Sequence, residues 1–144
     1  TNMEVSMKRK LCSTEMDFYL EKLFWPTIFC EENVYTIKPV VYSQGLWFDR
    51  TSCEAFINHV HLSDYVSCDD LEMYKKVAFI IAEMWRTKLK VQFPEEHFAV
   101  YLIVPEGKWS EKSNVTLRFC LIRDNEPPFT PDKADDKTLW IWET

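Results

Sequence analysis

The stretch DDLEMYKKVAFIIAEMWRTKLK, residues 69–90, followed after a short polar link by FAVYLIV, residues 98–104, decides the fold. In the first, Asp69 stands three positions before Glu72, the spacing of a helix start. Met73, Val77, Ile80, Ile81 and Met84 then recur at helical intervals, and Tyr74, Ala78 and Trp85 widen the stripe. Such a helix is about 33 Å long at about 1.5 Å per residue, enough to lie across a small sheet. In the second stretch both alternating faces are apolar, as in a central strand covered on both sides. A long amphipathic helix leading into a buried strand points to an α+β domain.

Further along, residues 115–123 alternate, with Val115, Leu117, Phe119 and Leu121 facing one way and Thr116, Arg118 and Cys120 the other. The link from Pro105 to Asn114 holds Gly107 and reads as a hairpin loop with Trp109 near its tip. Asp124 to Lys137 carries three prolines and reads as a long loop before a last strand, Thr138–Trp142. Alternation puts Trp140 and Trp142 on one face of that strand and Leu139 and Ile141 on the other. The two indoles are expected to cover the second face of the sheet; lining a pocket or a symmetric interface is the competing use.

Towards the N-terminus, Met16 to Trp25 has helical spacing and ends at Pro26. Val34 to Tyr42 reads as a strand demoted to an edge by Pro39, and Leu46-Trp47-Phe48 after Gly45 as a short returning strand. Thr51-Ser52-Cys53-Glu54 has the form of a capping box opening a helix with Phe56, Ile57 and Val60 on its inner face. The expectation is one α+β domain over residues 1–144, an antiparallel sheet of three to five strands with helices on one face, and residues 1–12 outside its ordered body.

Composition narrows the function. The chain has only two glycines in 144 residues, which excludes most glycine-dependent phosphate and nucleotide motifs. Its formal charge is −6, so nucleic acid is a poor partner and a basic protein a good one. No apolar run approaches the length of a membrane span. Five cysteines without tight spacing suggest a reducing compartment, and the cytoplasm is the expected location.

Catalytic and metal chemistry find weak support. His59 and His61, with Cys53 and Cys68, offer zinc-type ligands, but on a helix the two imidazoles would point about 200° apart. Cys53, in a first helical turn, would have its thiol pKa lowered by the helix dipole, and His97 could approach it or Cys120 only through a tertiary contact. Paired acids such as Glu31-Glu32, Asp69-Asp70, Glu95-Glu96 and Asp135-Asp136 suit solvated loops and helix starts better than a glycosidase cleft. No cofactor or metal is expected.

Size, acidity and aromatic content together give the profile of a non-catalytic protein-binding module. That profile resembles the immunity proteins that protect bacteria from nuclease toxins, with carboxylates standing in for phosphate. The resemblance implies a basic, toxin-like partner whose active site is occluded. The residues expected to carry binding are Glu31, Glu32, Asp64, Asp69 and Asp70, a second patch of Asp132, Asp135 and Asp136, and Trp109 or Trp142 as an aromatic anchor. The alternative is a small enzyme or small-molecule binder with a pocket between the long helix and the sheet.

Overall fold

The computed structural model describes residues 20–66, 70–105, 115–131 and 137–144. Two antiparallel sheets and two α-helices account for most of them. Strands β1 (Phe29–Glu31) and β2 (Val34–Thr36) form a hairpin. Helix α1 is Arg50–Ile57 and helix α2 is Leu71–Gln92. Strands β3 (Val60–His61), β4 (Phe98–Pro105), β5 (Thr116–Leu121) and β6 (Lys137–Glu143) make the main sheet in the order β3-β5-β4-β6, all antiparallel. The class is α+β, with β4 central as its two apolar faces require.

Helix α2 packs on one face of that sheet. Its buried residues are Tyr74, Ala78, Ile81, Ala82, Trp85 and Leu89. They meet Val100, Leu102 and Val104 of β4 and Leu117, Phe119 and Leu121 of β5 in one core. This stripe is rotated from the expected one: Met73 and Ile80 are 47% and 58% exposed. The physical reason is close approach. Ala78 and Ala82 let the helix backbone settle near the sheet, and Trp85 fills the space beside them, edge-on to Phe119 at 5.9 Å. The indole N–H of Trp85 donates to Leu23 O at 2.6 Å, so the largest core side chain also holds the preceding segment.

Trp140 and Trp142 lie on this same face, across β4 from Leu102 and Val100. Both are half-buried and edge-on to Phe79, at 5.1 and 5.5 Å. The opposite face is covered differently. Ala55 of α1 packs with Ala99, Tyr101 and Cys120, and Phe129 closes the cluster.

Several N-terminal expectations change. Of the helix expected over Met16–Trp25, residues 20–25 are described, and Leu20–Phe24 form a single π-helical turn. The strand expected from Val34 ends at Thr36, three residues before Pro39. Its partner Phe29–Glu31 had no sequence signal because the connecting turn lacks glycine: Glu32 and Asn33 take the two left-handed positions, φ 53° and 60°. Leu46–Phe48 forms no strand. Helix α1 is capped by Asp49, whose carboxylate accepts from Ser52 N at 2.7 Å, so Thr51 falls inside the helix. Its inward residues are Thr51, Cys53, Glu54 and Ala55, while Phe56 is 60% exposed.

Two buried polar side chains of this segment, Glu54 and the C-cap Asn58, matter more than an amphipathic stripe. Glu54 is wholly buried, and its carboxylate accepts from Tyr35 N and Leu121 N, both at 3.0 Å, and from Arg123. One turn on, buried Asn58 donates to Tyr35 O at 2.8 Å and Phe119 O at 3.2 Å and accepts from Ile37 N at 3.0 Å. Strands β2 and β5 share no ladder; these two side chains of the α1 segment occupy the gap and satisfy both backbones. Glu126 finishes the joint, accepting from Arg50 N at 2.6 Å and Thr51 N at 3.2 Å at the start of α1.

Candidate interaction surface

The β1–β2 hairpin presents Glu31 and Glu32 at its tip, both exposed. Glu32 does more than project: its carboxylate accepts from Ser43 N at 3.2 Å and Ser43 Oγ at 2.9 Å, and its carbonyl accepts from Arg50 Nε at 2.9 Å. These bonds hold a non-glycine residue in the left-handed region and tie the hairpin tip to residues 42–49. On that segment Leu46 and Phe48 are 106% and 90% exposed, as bare as side chains become.

Trp47 between them folds back instead. A Cβ at Gly45 would stand 2.1 Å from its Nε1, so the bare backbone of Gly45 is what makes room for the indole. From there a row of rings crosses the surface. Trp47 lies 5.5 Å from Phe56, Phe56 5.8 Å from His59, and His59 5.1 Å from His61. The row ends in a recess of about 360 Å³ lined by Lys38, His59, His61, Asp64 and Tyr65 among others. An apolar centre with carboxylates at both ends, Glu32 and Asp64, has the anatomy of a protein-binding patch.

The two histidines correct the helical assumption. Helix α1 ends at Ile57, and Val60–His61 is extended, so alternate residues share a side and the imidazoles meet. Each Nδ1 is anchored, that of His59 to Phe56 O and that of His61 to Thr116 Oγ1 at 3.2 Å. Burial, then His59, lowers the His61 pKa.

The other expected binding residues distribute as follows. Asp64 is exposed after β3, and Asp70 is exposed as the cap of α2, accepting from Glu72 N at 3.0 Å. Tyr74 of α2 donates to Val66 O, which brings these two segments together. Glu31 and Glu32 lie at the other end of the sheet, where Arg123, just beyond β5, donates to Asn33 O at 2.8 Å. Trp142 is committed to Phe79. Asp69, Trp109, Asp132, Asp135 and Asp136 lie outside the described residues. Leu46, Phe48 and Phe56 carried no signal of exposure: an apolar triplet and a helical aromatic both read as core.

Burial works against thiolate chemistry at Cys53 and Cys120. Burial pushes the Cys53 thiol up to about 11, with Glu54 adding to it, so desolvation outweighs the helix start. Cys120 is raised further, again by burial first. Among the described residues only Cys30 is an exposed thiol. Space between α2 and the sheet is filled by the core; a recess of about 550 Å³ lies instead on the outer flank of α2, lined by Trp25, Phe79, Ile80, Glu83, Met84 and Thr87. Among the described residues no helix is long and apolar enough to cross a membrane.

Among known families, the model described as the Uncharacterized protein PM0498 family matches residues 3–141. No curated protein and no solved structure matches the chain.

Proposed function

The chain belongs to that family, and we propose that it is a non-catalytic acidic protein-binding module whose partner is a basic protein. The observation that supports this best is the pair Leu46 and Phe48, fully exposed on a segment anchored by Glu32 and continuous with the ring row that ends at Asp64. Two large apolar side chains in water cost free energy that a docked partner would recover, about 1.5–3 kcal/mol for each one buried. The surrounding carboxylates, on a chain of formal charge −6, favour cationic partners and speed their approach. In its finer form the proposal is an immunity-type protein: the acids mimic phosphate, and the apolar anchors seat the chain over the substrate site of a nuclease-like toxin.

Capture of a partner on the wild-type chain and on a Leu46→Asp/Phe48→Asp variant, side by side, tests the surface. The partner is expected on the wild type alone, with an association rate that drops steeply between about 50 and about 500 mM salt while dissociation changes little. Equal retention by the variant removes this surface from the proposal. An association rate indifferent to salt removes electrostatic steering.

A second reading keeps the recess beside Trp25, Phe79 and Met84 as a small-molecule site, since its lining is mostly apolar. Saturable quenching of tryptophan emission by an apolar ligand, abolished by Met84→Arg, would favour it over the first.

A further inference from the structure

The sequence HVH at residues 59–61 is placed so that its two imidazoles share one side of an extended segment. Their ring centres are 5.1 Å apart. Two imidazoles bound to one tetrahedral ion through nitrogens about 2.0 Å from it have ring centres about 5 Å apart. The pair therefore already stands at ligating separation.

His59 is also held in the way metal-bound histidines are held, and the Thr116 hydroxyl beside His61 can accept from its Nδ1 in the same way. Phe56 O can only accept, so His59 Nδ1 carries the proton, and in the neutral ring the Nε2 lone pair is free. His61 Nδ1 is fixed against Thr116 Oγ1 at 3.2 Å, and Thr116 lies on β5, paired with His61 itself. An outer hydrogen bond at one ring nitrogen orients the other towards the ion and raises its basicity. Both rings line the recess of about 360 Å³, which leaves room for water and a further ligand. Lys38 and Asp64 on the same walls offset each other in formal charge, and Arg118 adds a positive charge near His61, so the imidazole lone pairs must supply the affinity.

We propose that His59 and His61 form an open two-imidazole site for a late first-row divalent cation, with Zn²⁺ and Ni²⁺ as the ions of choice. Among the described residues no third His, Cys, Asp or Glu completes a set with them, so water fills the remaining positions. The inference stands apart from the proposed partner: it needs only the free chain.

Titration calorimetry of the full chain with Zn²⁺ and separately with Ni²⁺ tests it, with imidazole NMR signals as a second readout. One equivalent is expected to bind, with signals of His59 and His61 shifting and those of His97 unmoved. His59→Ala and His61→Ala should each weaken binding at least about tenfold. Cys30→Ser should leave it unchanged, and both histidines are partly exposed, so circular dichroism of the variants should match the wild type. Absence of saturable binding, wild-type affinity in either histidine variant, or loss of binding in Cys30→Ser overturns the proposal.

Discussion

Arg123 and Glu54 form a two-bond pair inside the protein, Nη1 to Oε1 at 2.6 Å and Nη2 to Oε2 at 3.0 Å, with side chains 5% and 0% exposed. Burial pushes the Glu54 carboxyl up, and Arg123 and the two backbone donors act against it. For Arg123 burial acts downward, but Glu54 outweighs it and the net direction is upward. The pair joins β5, α1 and the hairpin at one point.

Removing one partner leaves a buried charge alone. Arg123→Met is expected to destabilise the protein by about 3–5 kcal/mol in urea unfolding. Glu54→Leu with Arg123→Met should recover part of that loss but not all, because Tyr35 N and Leu121 N lose their acceptor. Full recovery in the double variant would show that the backbone bonds contribute nothing.

Asn58 makes a sharper local test. Asn58→Ala orphans Tyr35 O, Phe119 O and Ile37 N, and each buried orphan costs about 1–3 kcal/mol. Native-state hydrogen exchange should accelerate at Ile37 and Tyr35 well before it does at Val100 or Leu117. Uniform acceleration across the sheet would mean that the hairpin is not a separately bound unit.

Gly45→Ala is expected to expel the Trp47 indole, since the added carbon would meet Trp47 Nε1 at 2.1 Å. The Trp47 indole N–H signal in an NMR spectrum should move towards its solvent value, with global stability nearly unchanged. An unmoved signal would show that the indole is held elsewhere.

Alkaline pH should weaken the fold through its thiols. An unfolded cysteine loses its proton near pH 8.5, whereas Cys53 in the folded chain holds it to about 11. Between those values the unfolded state binds fewer protons, so stability falls as pH rises across the window. Cys120 acts in the same direction. In the folded protein iodoacetamide should modify Cys30 and spare both buried thiols; reaction at Cys53 before unfolding would contradict its burial.

The body of the fold was legible because periodicity carries it. Helix α2 and strands β4, β5 and β6 announce themselves through apolar spacing, and only the rotation of α2 was hidden, since hydrophobicity ranks Met73 and Ile80 above the alanines that in fact face the sheet. The joint was not legible. Glu54 looks like the acid of a capping box, and nothing local says that its partner stands sixty-nine positions away at Arg123. The surface was half legible: charge marked Glu32 and Asp64, but the same apolar residues that signal a core elsewhere stand exposed at Leu46 and Phe48.

A ladder of strands demands matching lengths and fixed registration; the two side chains that span from β2 to β5 demand neither. Glu54 and Asn58 fix the hairpin at Tyr35 and Ile37 and leave the chain between Ile37 and Asp49 unconstrained by the sheet's repeat. Residues around Leu46 enter none of the strand pairings among the described residues. The molecule is thus a scaffold on which the exposed segment around Leu46 and Phe48 is built independently of the strand pairings.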